Sequence, residues 1–204
     1  GGGHLPDYTV YAPVFDASGE LVLIQALQAH QGDTGGKDPG GFSVDSTDIF
    51  GEGLGIPVLK LVHRGQPRRD VIDLLIRNNR FPSFAGDIAA MISAVQAGVV
   101  ALQSLLTRYG VDSIKAAVNF NIDQTALRFR QAVAQWPDGD YPADVWIDQD
   151  TAGNPDVHVR VTCRIAGDQL TVDMTGSDTR SELVNVWNTF ANTRGYAIAQ
   201  LASM

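Results

Sequence analysis

A lone cysteine, Cys163, stands among 204 residues, so no disulfide can form within the chain and its stability has to come from a packed core. One thiol also fits a reducing compartment, and the expected setting is cytoplasmic. Basic side chains are scarce, with 15 lysines and arginines against 23 acidic residues and a formal net charge of −8. No basic run exceeds Arg68-Arg69, so no cationic face for a nucleic-acid partner is expected. The chain has no unbroken stretch of 18 apolar residues and no basic N-terminal segment leading into an apolar one, so neither a membrane span nor a secretory leader is predicted. A phosphate-binding loop is missing too. Gly35-Gly36-Lys37-Asp38-Pro39-Gly40 lacks the Lys-Ser/Thr ending, and Pro39 obstructs the helix that should follow. Gly51-Glu52-Gly53-Leu54-Gly55 runs into Pro57 and an extended pattern, unlike a dinucleotide fingerprint.

What remains is ordinary globular material, 44% apolar and 19% charged, in a length that can bury a real core. The chain begins without methionine in a glycine run and stops inside an apolar helical pattern, so it is expected to be a piece of a longer protein. Residues 8–15 are aromatic and β-branched, and Pro13 confines them to an edge strand or strand end. Residues 21–27 carry apolar side chains on both parities and predict a strand buried on both faces, delivering His30 at its end. Residues 31–55 hold eight glycines and almost no periodicity, which predicts a long functional loop, followed by a strand over 56–62 and a helix from Pro67 to Asn78.

Ile88, Ile92, Val95, Val99, Leu102, Leu106 and Tyr109 step by four and three, the spacing of a helix of about six turns that Gly110 ends. Asp112 is the expected cap of a next helix with Ile114, Val118, Ile122, Phe129 and Val133 on one side, and the two make a helical hairpin. From Val145 to Thr175 the period is two, the mark of an antiparallel β-meander. The fold class is therefore mixed α/β of the α+β kind. Its parts are 1–66 with strands and the glycine-rich loop, 67–137 helical, and 138–204 with the meander and the start of a helix, all within one larger truncated domain.

Chemistry concentrates in two His-x-x-Asp pairs, His4 with Asp7 and His30 with Asp33, each on irregular backbone among glycines. One such pair alone reads more readily as a loop histidine with a turn-capping aspartate. Two pairs that meet form an imidazole and carboxylate set suited to zinc, manganese or iron, with open positions of the catalytic type. The backbone amides around Gly35, Gly36 and Gly40 are candidates for cradling an anion. Glu52 is a candidate acid or base, or a further ligand, and Arg80 with Asp87 either clamps an anionic substrate group or forms a surface ion pair. His63 and His158 read as structural, and Cys163 as a small core hydrophobe.

Read in order, His4-x-x-Asp7, Pro13-Val14-Phe15, His30-x-x-Asp33-x-Gly35-Gly36 with Pro39-Gly40, Glu52-Gly53-x-x-Ile56-Pro57-x-x-Lys60-Leu61, Asn79-Arg80, Gly86-Asp87-Ile88-x-Ala90 and Asp173-Met174-Thr175-Gly176-Ser177 resemble the hydantoinase B/oxoprolinase family. The resemblance covers nearly the whole chain. It implies an ATP-dependent enzyme in which a hydantoinase A-type partner binds ATP and activates the substrate, while the B part completes hydrolysis of a cyclic amide such as a hydantoin or 5-oxoproline. Its carboxylase branch implies ATP-dependent carboxylation of acetone or acetophenone instead. It also implies a divalent metal, carried over onto His30 and Asp33 and further onto His4 and Asp7, in a hetero-oligomer. Two other readings stand beside it: a self-sufficient metallohydrolase, and a non-catalytic assembly module.

Overall fold

A computed structural model describes residues 4–41 and 43–203. β1 (Asp7–Phe15) and β2 (Leu21–His30) form a two-stranded antiparallel ribbon. Its turn is chemically specified: the Asp16 carboxylate accepts the amides of Ser18 and Glu20, each at 2.9 Å, while Gly19 takes φ +85°. The ribbon's register sets Asp7 opposite His30 and Val14 opposite Leu23.

α1 (Arg69–Arg77) and α2 (Phe84–Tyr109) complete the first of two compact units, which spans residues 1–114. α2 lies across β1 and β2. The periodicity read from the sequence becomes packing here, because Ile88, Met91 and Val95 are buried while Gly110, at φ +79°, ends the helix. Ile72, Leu75, Phe84 and Ile88 form the core, with Tyr8, Leu54, Ile56 and Leu61 packed against it. α2 is the one helix among the described residues long and apolar enough to cross a membrane. The unbroken-run criterion missed it because polar residues such as Ser93 and Gln96 punctuate it, and the face without them is the one that packs on the ribbon.

Four local expectations are corrected. β2 is not buried on both faces: Leu21 and Ile24 are 50% and 60% exposed, because the ribbon has helix on one side and, among the described residues, no further strand beside it. The strand expected over 56–62 shrinks to β3 (Val62–His63), paired with β4 (Gln66–Pro67), since Pro57 donates no amide and, among the described residues, no strand pairs with 56–61. Helix α1 therefore starts two residues beyond Pro67. Asp112 lies within the first turn of α3 (Val111–Val133), not at its cap.

The second unit spans residues 115–204. β5 (Gly139–Gln149), β6 (Pro155–Ala166) and β7 (Gln169–Asp173) form the expected meander, with β6 in the middle. Val157 and Ile165 are its buried positions, two of the alternating apolar residues of β6. Asp150 closes the β5–β6 connection by accepting the amides of Ala152, Asn154 and Val184. Its burial pushes its pKa upward, but those hydrogen bonds prevail and hold it at about 2. Most of α3 belongs to this unit, and of its apolar side only Val133 is buried, with Ile122 61% exposed. α4 (Phe190–Ala202) follows, capped by the Thr189 hydroxyl, which accepts the amide of Asn192.

Candidate metal centre and adjoining cleft

The ribbon's register brings together residues that are 23 positions apart. The carbonyl of Pro6 accepts the amides of Tyr8 and Gln31, both at 2.9 Å, which ties the turn before β1 to the end of β2. The Asp7 amide donates to the His4 carbonyl and folds the His4 ring back over the strand pair. His4 and His30 then stack, centroids 4.8 Å apart at 29°. Asp7 Oδ1 lies between them, 3.4 Å from His4 Nε2 and 3.2 Å from His30 Nδ1.

One ligand atom from each of these three residues falls within 4.8 Å of the others. Two imidazoles and one carboxylate match the donor preferences of a borderline divalent cation and leave positions free for water or substrate.

Asp33 is elsewhere in this arrangement. It is 0% exposed and held by Arg80, whose Nη2 donates to Oδ1 at 2.6 Å, Nε to Oδ2 at 3.0 Å, and backbone amide to Oδ2 at 2.6 Å. The Gly35 amide adds a bond to Oδ1 at 3.2 Å, and the Asn79 side chain donates to the Asp33 carbonyl. The Arg80 hydrogen bonds hold the Asp33 carboxyl below the usual range against the upward push of burial. Arg80 also donates to the carbonyls of Gly35 and Lys37. The guanidinium, expected either to clamp an anionic substrate group or to form a surface ion pair with Asp87, is engaged with Asp33 and the glycine-rich loop.

That loop is closely packed. Gly36 sits at φ +79°, and a Cβ there would meet the Gly51 carbonyl oxygen at 2.5 Å. At Gly41, φ +66°, a Cβ would lie 2.6 Å from Pro6 Cγ, so the loop abuts the turn that carries His4. The Gly35 amide is engaged by Asp33 and the Lys37 amide by the Gly51 carbonyl. Gly40, φ +91°, supplies another bend. Glu52 ends a 3-10 turn at Ile49–Gly51. Asp87 is exposed in the first turn of α2, where its charge suits the helix N-terminus. His158 pairs with Asp144 at 2.6 Å and stacks on Trp146, while His63 is exposed at the end of β3.

Beside the His4 and Asp7 side chains opens a cleft of about 340 Å³ whose wall includes Tyr8, Leu54, Ile56 and Leu61. Sequence reasoning did not find it, because residues 54–61 resemble a strand and only the missing ladder leaves them free to line a cleft. Tyr8 stands edge-to-face on Phe84, centroids 6.0 Å apart. Burial, and secondarily the Asp33 charge, push its phenol up to about 12.

Comparison with known proteins identifies the family. The family described as Hydantoinase B/oxoprolinase matches residues 1–204. The beta chain of the caprolactamase of Pseudomonas jessenii is 36% identical over 172 residues, which cover 84% of this chain and 29% of that protein. The B component of a putative D-/L-hydantoinase of Pseudomonas sp. (strain NS671) is 33% identical over 183 residues, covering 87% of this chain and 31% of that one. The crystal structure of the ATP-dependent caprolactamase from Pseudomonas jessenii superposes with a TM-score of 0.80 at 34% identity, over 88% of this chain and 31% of that one. The chain thus spans about a third of the length of these relatives. With the family matching every residue, the chain belongs to the hydantoinase B/oxoprolinase family.

Proposed function

We propose that this chain is part of the B-type component of an ATP-dependent hydrolase of cyclic amides, and that His4, Asp7 and His30 hold a divalent cation. One observation carries the reading: the β1–β2 register places Asp7 across from His30 and beneath the stacked His4 ring. Relatives named as components of a caprolactamase and a hydantoinase support the reaction class, and their naming as single components of larger enzymes supports an assembly with a second, ATP-binding A-type partner.

A bound cation supplies Lewis acidity toward the amide carbonyl. The chain's own residues do the rest. His4 and His30 would each offer a ring nitrogen and Asp7 a carboxylate oxygen to the cation, and the apolar wall would keep water from the substrate ring. Arg80 and Asp33 fix the backbone between His30 and Gly35, so that the histidine is held in place by the loop it leads into. The candidates for moving a proton are Glu52, whose backbone packs against Gly36, and Asp7, which lines the cleft. Asp87 carries no role in this reading.

The test uses the full-length protein with its partner and ATP. His30→Ala and Asp7→Asn should reduce bound metal from about one per chain to near zero and abolish ring opening, while assembly persists. Undiminished turnover in these variants, or after chelation, overturns the proposal. Turnover without ATP or partner would mark a self-sufficient metallohydrolase, and bicarbonate-dependent consumption of a ketone would mark a carboxylase.

A further inference from the structure

Basic side chains, scarce in the chain as a whole, gather next to the cleft wall. Four of the 15 lysines and arginines, Lys60, Arg64, Arg68 and Arg69, fall within residues 60–69, a stretch that holds no acidic residue. Apolar and turn positions separate them, so they form no long run in the sequence. The fold draws them together: β3 and β4 pair as a tight hairpin whose two turn residues, Arg64 and Gly65, take φ +51° and +76°. The hairpin is firmly mounted, because the Arg68 amide donates to the Leu61 carbonyl at 2.8 Å and Leu61 packs against the core. Arg64 therefore stands at the tip of a fixed projection.

The Arg68 guanidinium is neutralised by Asp70, to which it donates at 2.8 and 2.5 Å. Among the described residues, Lys60, Arg64 and Arg69 are exposed and enter no ion pair. Two of these placements are unfavourable within the chain. Arg64 occupies left-handed backbone that suits glycine or asparagine, and Arg69 begins α1, where the helix dipole repels a cation. Charges set at a cost and left without an anion fit a surface that meets another molecule.

Val58 and Leu59 precede the hairpin, are 85% and 42% exposed, and both line the cleft. Exposed aliphatic side chains beside unpaired arginines have the composition of a protein interface. The cations themselves do not line the cleft, so they are placed for a surface lying across its rim and not for a small anion inside it. The three are also fewer than the cluster of about four to eight that recognises an anionic lipid surface.

We infer that the β3–β4 hairpin is the docking point for an acidic face of the ATP-binding partner, which then covers the rim of the cleft at Val58 and Leu59. The inference rests on the assembly reading above and adds to it the contact surface and the charge of its complement. Attraction between the two faces speeds their encounter, and the aliphatic pair is what the docked partner shields.

The test uses the full-length protein with its partner. The wild-type Kd should weaken about tenfold between about 50 and 300 mM salt. Arg64→Glu should raise Kd about tenfold at low salt, and reversal of Lys60, Arg64 and Arg69 to glutamate together about a hundredfold with the salt dependence flattened, while melting temperature and metal content stay unchanged. Arg64→Gly, which suits the left-handed backbone and so leaves the turn intact, should still raise Kd about threefold. Ring opening at limiting partner should fall in the triple variant and recover at saturating partner. A photo-crosslinking side chain at position 64 should capture a partner peptide rich in aspartate and glutamate. An unchanged Kd in the triple variant, a loss of turnover that persists at saturating partner, or a crosslink back onto the same chain each overturns the inference and leaves the reaction class standing. Absence of any complex in the wild type overturns the assembly reading and the inference with it.

Discussion

Two aspartates that each follow a histidine by three residues have different surroundings and different consequences. Asp7 lies between two imidazoles at the rim of a cleft, where its oxygens can serve a ligand. Asp33 is sealed, and its carboxylate is fully engaged by Arg80 and Gly35. Because its folded pKa is depressed, the stability it contributes is present above the ordinary aspartate value of about 4 and is lost as pH falls through and below it. Urea midpoints measured from pH 7 down to pH 3 should therefore fall, and Asp33→Asn should lower the midpoint at pH 7 and flatten that acid dependence. Tyr8 has the opposite sign. Its folded pKa is raised to about 12, so its contribution is complete below about 10 and is lost as pH rises toward 12. In an absorbance titration one of the five tyrosines should ionise last, and Tyr8→Phe should remove that late step.

Among the elements, the ribbon sets the register and α2 holds it against the core. Ile88 is 2% exposed at the centre of the cluster, so Ile88→Ala should cost about 2–5 kcal/mol in denaturant unfolding of the full-length protein. Val100 on the same helix is 66% exposed, and Val100→Ala should stay within about 0.5 kcal/mol. The glycine loop acts by contact: Gly41→Ala would drive a Cβ to 2.6 Å from Pro6 Cγ at φ +66° and displace the turn bearing His4. Metal affinity measured by titration should drop about tenfold, the scale seen when groups supporting a ligand are disturbed. The helices and the meander were legible in the sequence because periods of 3.6 and 2 are local properties of side-chain spacing. The strand expected over 56–62 failed because β-branched content marks an extended chain without saying whether a partner strand exists.

Taken whole, the molecule carries a net charge of −8 and a pI of about 4.8, so solubility should pass through a minimum near that pH, in the range where the Asp33 contribution also begins to fade. Turbidity against pH would show it, and a minimum displaced by more than about one unit would contradict the charge inventory. The sequence by itself determined the mixed α+β class, the glycine-rich loop, the absence of an internal disulfide and a nucleotide loop, and the residue types able to hold a cation. All of these follow from composition, periodicity and short-range turn chemistry. Only the tertiary structure decided that Asp7 joins His30 and His4 while Asp33 joins Arg80, and that residues 54–61 wall a cleft. Those outcomes depend on strand register and on packing between segments about 20 to 50 residues apart, where no local pattern distinguishes a ligand from the anchor of a loop.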